Sequence, residues 1–170
     1  MDSLTLVLLG VMPALVIVGG IKDLTSMKIP NWISGLLILG FVPAALAVGL
    51  SPMTIAVHFG VAVVALLVMM ALFALRWIGG GDAKLFASAC LWLGLSASGM
   101  FLLWTALAGG LLSLAVLLAR GWLQPYTSHA PAWAAQLMTP KGDIPYGVAI
   151  AAGALMAYPA SPLVAAFIAG

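Results

Sequence analysis

Residues 54–84 read TIAVHFGVAVVALLVMMALFALRWIGGGDAK, with no charged side chain from Thr54 to Leu75, then Arg76, Trp77, three glycines, Asp82 and Lys84. About 20 apolar residues are needed to cross a hydrocarbon layer as a helix. Thr54–Trp77 therefore reads as a membrane span, and Gly79–Asp82 marks its end. The rest of the 170-residue chain has the same character: 65% hydrophobic, 6% charged, mean hydropathy +1.24. A soluble domain of this size would have to coat itself in polar groups. The composition is that of an integral membrane protein: an all-α polytopic bundle, one domain over residues 1–170.

Six apolar stretches predict six transmembrane helices: Leu4–Ile21, Trp32–Leu50, Thr54–Trp77, Ala83–Leu95, Gly99–Ala119 and Ile144–Ile168. The fourth is short and can borrow from Gly79–Asp82 or Ser96–Ser98. Glycine, proline and polar residues punctuate the breaks at Lys28–Asn31, Ser51-Pro52, Gly79–Gly81, Ser96–Gly99 and Gly121–Asp143. The N-terminus opens Met1-Asp2-Ser3, without the positive charge of a cleavable signal, so the first run is expected to be a retained helix.

Charge and cysteine usage exclude several function classes. A formal charge of +2 with no basic run gives no nucleic-acid footprint. The single cysteine, Cys90, rules out an intrachain disulfide and a CxxC zinc site. His58 and His129 are too isolated to suggest a metal cluster.

The six basic residues fix an expected orientation. Lys22 and Lys28 fall in the first connection, Arg76 and Lys84 flank the third, and Arg120 and Lys141 flank the fifth; the second and fourth have none. The positive-inside rule then puts the odd connections in the cytoplasm and both termini outside. Trp32, Trp77, Trp122 and Trp133 fall near that same boundary, as an interfacial aromatic belt would.

Only four residues are acidic, all aspartates. Two of them, Asp23 and Asp82, stand where apolar runs break, and ionisable groups at the edge of a hydrocarbon layer are read as functional by default. Two crossings separate them, so both lie near one face whichever orientation holds. Small-residue spacings such as Ala106/Gly110 and Ala149/Gly153/Ala157 allow close helix approach that can bring them together. Amide hydrolysis by paired carboxyls needs one ionised group as base for water and one protonated group to polarise the carbonyl. Neighbouring carboxyls meet that need by sharing a proton and titrating as a pair. Gly79-Gly80-Gly81 leaves backbone room, tolerates unusual dihedrals and can hold an extended strand close. Pro30 suits the first turn of the second helix, just after the loop that carries Asp23.

Asp23 followed by Ile29-Pro30-Asn31, and Gly79-Gly80-Gly81-Asp82-Ala83-Lys84-Leu85, resemble the two signature blocks of type IV prepilin peptidases, membrane aspartyl proteases of the GxGD class. Ile144-Pro145-Tyr146-Gly147-Val148-Ala149 resembles a third block, at the start of the last helix, and the three come in family order. The resemblance implies removal of short basic leader peptides from prepilins or pseudopilins. Cleavage would fall at the cytoplasmic edge of the pilin's hydrophobic helix, with Asp23 and Asp82 as the catalytic pair and no metal or cofactor. It is nearest the compact peptidases of tight-adherence (Flp-type) pili. The larger members' cysteine-rich zinc segment has no counterpart here, which argues against N-methylation.

Each residue also has a plainer reading. Alone, Asp23 reads equally as a solvated residue or a helix-end partner of Lys22 and Lys28, and Asp82 as the N-cap of the fourth helix. Lys84, two residues from Asp82, points to another side of the helix and is expected to snorkel to headgroups rather than pair with it or touch substrate. Asn31 suits an organising role. Asp143 is expected to cap the last helix with Pro145 in its first turn, and Asp2 lies on the far side. His58 suits an interhelical hydrogen bond, and Met69 and Met70 plain packing. The segment Gly121–Thr139, with Trp122, Tyr126, His129 and Trp133, is expected to lie on the interface rather than form a flap over substrate.

The expectation is thus a bacterial inner-membrane aspartyl endopeptidase with its site at the cytoplasmic face, its partners a prepilin substrate and the lipid bilayer. Asp23 and Asp82 are its catalytic residues and Gly79, Gly80, Gly81, Lys84, Pro30 and Asn31 its supporting ones. Alternatives are an archaeal preflagellin-type GxGD peptidase, a small proton-coupled transporter, and a noncatalytic pilus-assembly subunit.

Overall fold

The computed structural model describes residues 3–123, 130–140 and 142–170. Tyr126, His129, Lys141 and Asp2, which entered the sequence reading, lie outside them. The described residues form helices and no strand: α1 (Ser3–Ser26), α2 (Asn31–Ala47), α3 (Pro52–Ala74), α4 (Gly80–Leu123), α5 (Ala132–Leu137), α6 (Tyr146–Ala157), a 3-10 turn (Tyr158–Ala160) and α7 (Pro162–Ala169). Four stretches are long and apolar enough to cross a membrane: Ser3–Ser26, Pro52–Ala74, Gly80–Trp122 and Tyr146–Ala169; α2 is a shorter apolar helix.

The fourth and fifth expected helices join into α4 across a single break at Gly94 (φ 63°, ψ −172°), earlier than the expected Ser96–Gly99. Positive φ is open to glycine at little cost. Ser96 and Ser98 stay helical, and the Ser98 hydroxyl donates to the Gly94 carbonyl at 2.6 Å. Phe86 and Phe101 stack with centroids 4.4 Å apart. In a straight helix fifteen residues would separate them by about 22 Å, so α4 is a hairpin of two limbs, residues 80–93 and 95–123. His58 of α3 braces the bend. Its Nδ1 lies 2.7 Å from the Leu91 carbonyl, and its ring occupies the space a Cβ on Gly94 would need. The interhelical hydrogen bond expected of His58 is therefore present.

The last expected span is interrupted as well. Pro159 and Pro162 cannot continue an i→i−4 ladder, so the 3-10 turn intervenes and Ser161 caps α7 through its hydroxyl. Tyr158 OH donates to the Leu9 carbonyl at 2.9 Å, tying this bend to α1.

The core lies where α1, α2 and α6 meet the first limb of α4, around Trp92, Phe41, Ile33 and Leu85, and Trp92 Nε1 donates to the Leu37 carbonyl at 2.8 Å. Ala149, Gly153 and Ala157 are buried, and α6 comes so close to α4 there that a Cβ on Gly153 would collide with Thr105. The partner stripe on α4 is one residue earlier than expected. Thr105 and Gly109 face inward, Gly109 against the Tyr146 ring, while Ala106 and Gly110 face out. By contrast, α3 packs on α4, hardly touches α2, and has one buried residue, His58.

Candidate active site

Asp23 lies inside α1 rather than in the loop after it. Hydroxyls extend the helix: Thr25 Oγ1 donates to the Ile21 carbonyl (2.8 Å) and Ser26 Oγ to that of Lys22 (2.7 Å). Met27, left-handed at φ 51°, closes it by donating to the Asp23 carbonyl at 2.8 Å. The Asp23 side chain is 7% exposed and turns inward, where Oδ2 accepts the Gly147 N–H at 2.7 Å. Gly147 is the second residue of α6, and first-turn N–H groups have no partner within their own helix. Asp23 thus supplies the cap expected of Asp143. The N-cap position itself is held by Pro145, with no side-chain cap. Gly147 must be glycine, because a Cβ there would stand 2.8 Å from both Asp23 Cβ and Ile29 Cδ1.

Asp82 sits in the first turn of α4. Its Oδ2 lies against Gly79, whose backbone N–H it faces, while Oδ1 is buried without a hydrogen-bond partner among the described residues. Instead of capping with a preceding side chain, α4 folds its third residue back over its start, in the manner of a capping box. Gly79, Gly80 and Gly81 keep ordinary negative φ, so the expected use of unusual dihedrals is not realised. Their value is room: a Cβ would meet the Asp82 carboxyl at Gly79, the Phe73 ring at Gly80 and Ile29 Cβ, 3.0 Å away, at Gly81.

Both aspartates line two adjoining recesses. One, of about 490 Å³, is walled by Met27–Asn31 and Gly79–Gly81. The other, of about 720 Å³, is walled by Arg76, Trp77, Asp143 and Tyr146 among others. Both carboxyls open onto this shared space. Asp143 lines the larger recess beside Asp23. It is the backbone carbonyl of Asp143 that is pinned, by Arg120 Nη2 at 2.9 Å, while Arg120 Nε holds the Leu137 carbonyl at 2.9 Å.

Of the supporting residues, Pro30 stands at the N-cap of α2, one place before the expected first turn. Lys84 is not a free snorkelling cation: its Nζ donates to Asn31 Oδ1 at 2.9 Å, joining the two glycine- and proline-bearing blocks. Trp32, Trp77, Trp122 and Trp133 are all exposed. Gly147, Met27, Arg76 and Tyr146 received no role from sequence. Only the Ile144–Ala149 block pointed toward the first and last of them, and the left-handed φ of Met27 and Arg76 (51° and 61°) has no sequence signature.

The described residues, helical and largely apolar, gather one buried aspartate, Asp23, and one half-buried aspartate, Asp82, at one glycine-rich junction. Residues 10–114 match the type IV leader peptidase family, and the chain belongs to that family. The matched region holds Asp23 and Asp82 and ends before Gly147, so the third block joins the site through its hydrogen bond to Asp23. No match was found among curated proteins or among solved structures.

Proposed function

We propose that this peptidase is a membrane aspartyl endopeptidase that removes the basic leader of a prepilin or pseudopilin at the cytoplasmic membrane boundary, with Asp23 and Asp82 as its catalytic residues. The observation that carries the reading is that two acids, 59 positions apart in sequence and both within the family match, open onto the same recesses. The apolar stretches suit six crossings, counting the α4 hairpin as two and α6–α7 as one, and the distribution of Lys and Arg favours both termini outside.

The chemistry needs one proton on the pair. Asp23 accepts the Gly147 N–H at the positive end of α6 and is better disposed to carry the negative charge. Asp82, whose Oδ1 has no donor among the described residues, then holds the proton. Asp23 takes a proton from water as its oxygen attacks the scissile carbonyl carbon, and Asp82 protonates the carbonyl oxygen, giving a gem-diol. As the C–N bond breaks, Asp23 returns its proton to the leaving amine and Asp82 recovers the diol proton. Lys84, Asn31, Pro30 and the three glycines hold the two segments in place.

The test is co-expression with a cognate prepilin, following pilin size. Asp23→Asn and Asp82→Asn should each abolish processing while the protein still inserts. Processing that survives either change sinks the paired-aspartate mechanism.

A further inference from the structure

A third cavity, of about 410 Å³, adjoins the smaller aspartate recess, sharing Asn31 with it, and runs away from it between α2, α3 and the first limb of α4. Its walls have one period. From α2 it takes Asn31, Ser34, Gly35 and Ile38, the i, i+3, i+4, i+7 face of that helix. The same spacing recurs from Phe59 to Leu66 on α3 and from Lys84 to Leu91 on α4. Each stripe is two helical turns, about 10.5 Å long. Three parallel stripes of this kind, with α2 and α3 standing apart, are what a fourth helix meets when it enters a bundle.

We propose that this groove docks the first two turns of the substrate's apolar helix, an inference that rests on the peptidase reading above. Three observations select that occupant. The groove begins at Asn31 and Lys84, at the level of Asp82, so a helix seated in it ends where its chain must be extended for cleavage. Ser34, 7% exposed and part of this wall, has an Oγ with no hydrogen-bond partner among the described residues. The first turn of a helix carries free backbone N–H groups that can satisfy that oxygen, whereas a lipid acyl chain has none. Gly35 has nothing within 4 Å of where its Cβ would be, leaving the small-residue gap that allows close helix approach.

That gap provides the test. Gly35→Leu extends into the groove from a position where a Cβ meets nothing within 4 Å, and it improves helix propensity. Gly60→Leu is the matched control: a Cβ there too meets nothing within 4 Å, but it lies in a separate groove, between α3 and both limbs of α4. Two substrates are compared, a full prepilin and a soluble peptide that spans the cleavage junction but lacks the apolar helix. For Gly35→Leu the ratio of KM for prepilin to KM for peptide should rise about tenfold with kcat for prepilin little changed, the signature of lost uniform binding. Gly60→Leu should leave the ratio as in the parent protein. A Gly35→Leu ratio that does not move, as expected if only lipid fills the groove, overturns the proposal. So does an equal loss on both substrates at unchanged melting temperature.

Cysteine crosslinking gives an independent readout. A cysteine in the second turn of the substrate helix should capture Ile38→Cys in preference to Val64→Cys, which faces the other groove; the reverse preference overturns the assignment. Parent protein that cleaves neither substrate would instead bring down the peptidase reading itself.

Discussion

Asp23 and Gly147 are 124 positions apart, yet the carboxylate of the first closes the open end of the helix that carries the second, at 2.7 Å. One hydrogen bond therefore serves both the packing of α1 on α6 and the orientation of an acid in the recess. Substitutions can separate the two roles. Asp23→Asn keeps an acceptor oxygen and should retain the parent melting temperature in detergent. Asp23→Ala removes the cap and should cost about 1 kcal/mol of stability. Both should lose processing entirely, which shows that the loss is chemical.

Gly147→Ala should be harmful without touching any reacting group. Its methyl would stand 2.8 Å from Asp23 Cβ. Displacing a positioned group by a fraction of an ångström lowers the rate on the order of tenfold to a hundredfold. Single-turnover cleavage should show the decrease in the chemical step, and substrate affinity should change less.

The bend in α4 makes a prediction about stability alone. Gly94→Ala would combine a positive φ with a collision against the His58 ring, which together should cost about 2–4 kcal/mol. His58→Ala would strand the Leu91 carbonyl and leave a void beside Phe41, at a similar cost of about 2–4 kcal/mol. Thermal melting in detergent measures both. Combining them should cost less than the sum, because removing the ring relieves the collision.

Asn31 and Lys84 should behave as a coupled pair. Lys84→Met and Asn31→Ala each break the same 2.9 Å bond, so the double variant should process substrate about as slowly as the worse single one. Asn31→Asp, which keeps the acceptor, should stay near parent activity. Initial rates for the four proteins form the cycle, and strict additivity would remove the bond from the argument.

Arg120 should control the segment before α6. It grips two backbone carbonyls, of Leu137 and Asp143, through different nitrogens. A point-charge ammonium does not reproduce that fork, so Arg120→Lys and Arg120→Gln should both speed limited proteolysis between residues 130 and 140. The larger recess should loosen too, seen as a raised KM.

Much of this site is legible in sequence because its signals are local. A charge in an apolar run is conspicuous, and Gly79–Asp82 and Ile29–Asn31 are contiguous words whose packing needs are met by neighbours a few positions away. What is hidden depends on which faces meet. Asp143 is the nearer candidate to cap the last helix, but α6 begins one residue after Pro145 and Asp23 reaches it first through tertiary packing. The four-residue spacing of Ala106 and Gly110 is shared by Thr105 and Gly109, and only the docking of α6 decides between them. Ser96 and Ser98 look like a loop, yet a serine hydroxyl can return to a helix carbonyl, and Gly94 alone accepts the left-handed bend.

The reach of Asp23 across the chain bears on how the protein is made. At roughly 5–20 residues per second, synthesis of the 124 residues between Asp23 and Gly147 takes about 6–25 s. Over the last 65 of those residues, from Asp82 to Gly147, the nascent chain holds both acids but not the helix end that seats the first. On the proposed mechanism an unfinished copy at the membrane should be a poor protease, with activity arriving only once the C-terminal helices are in place.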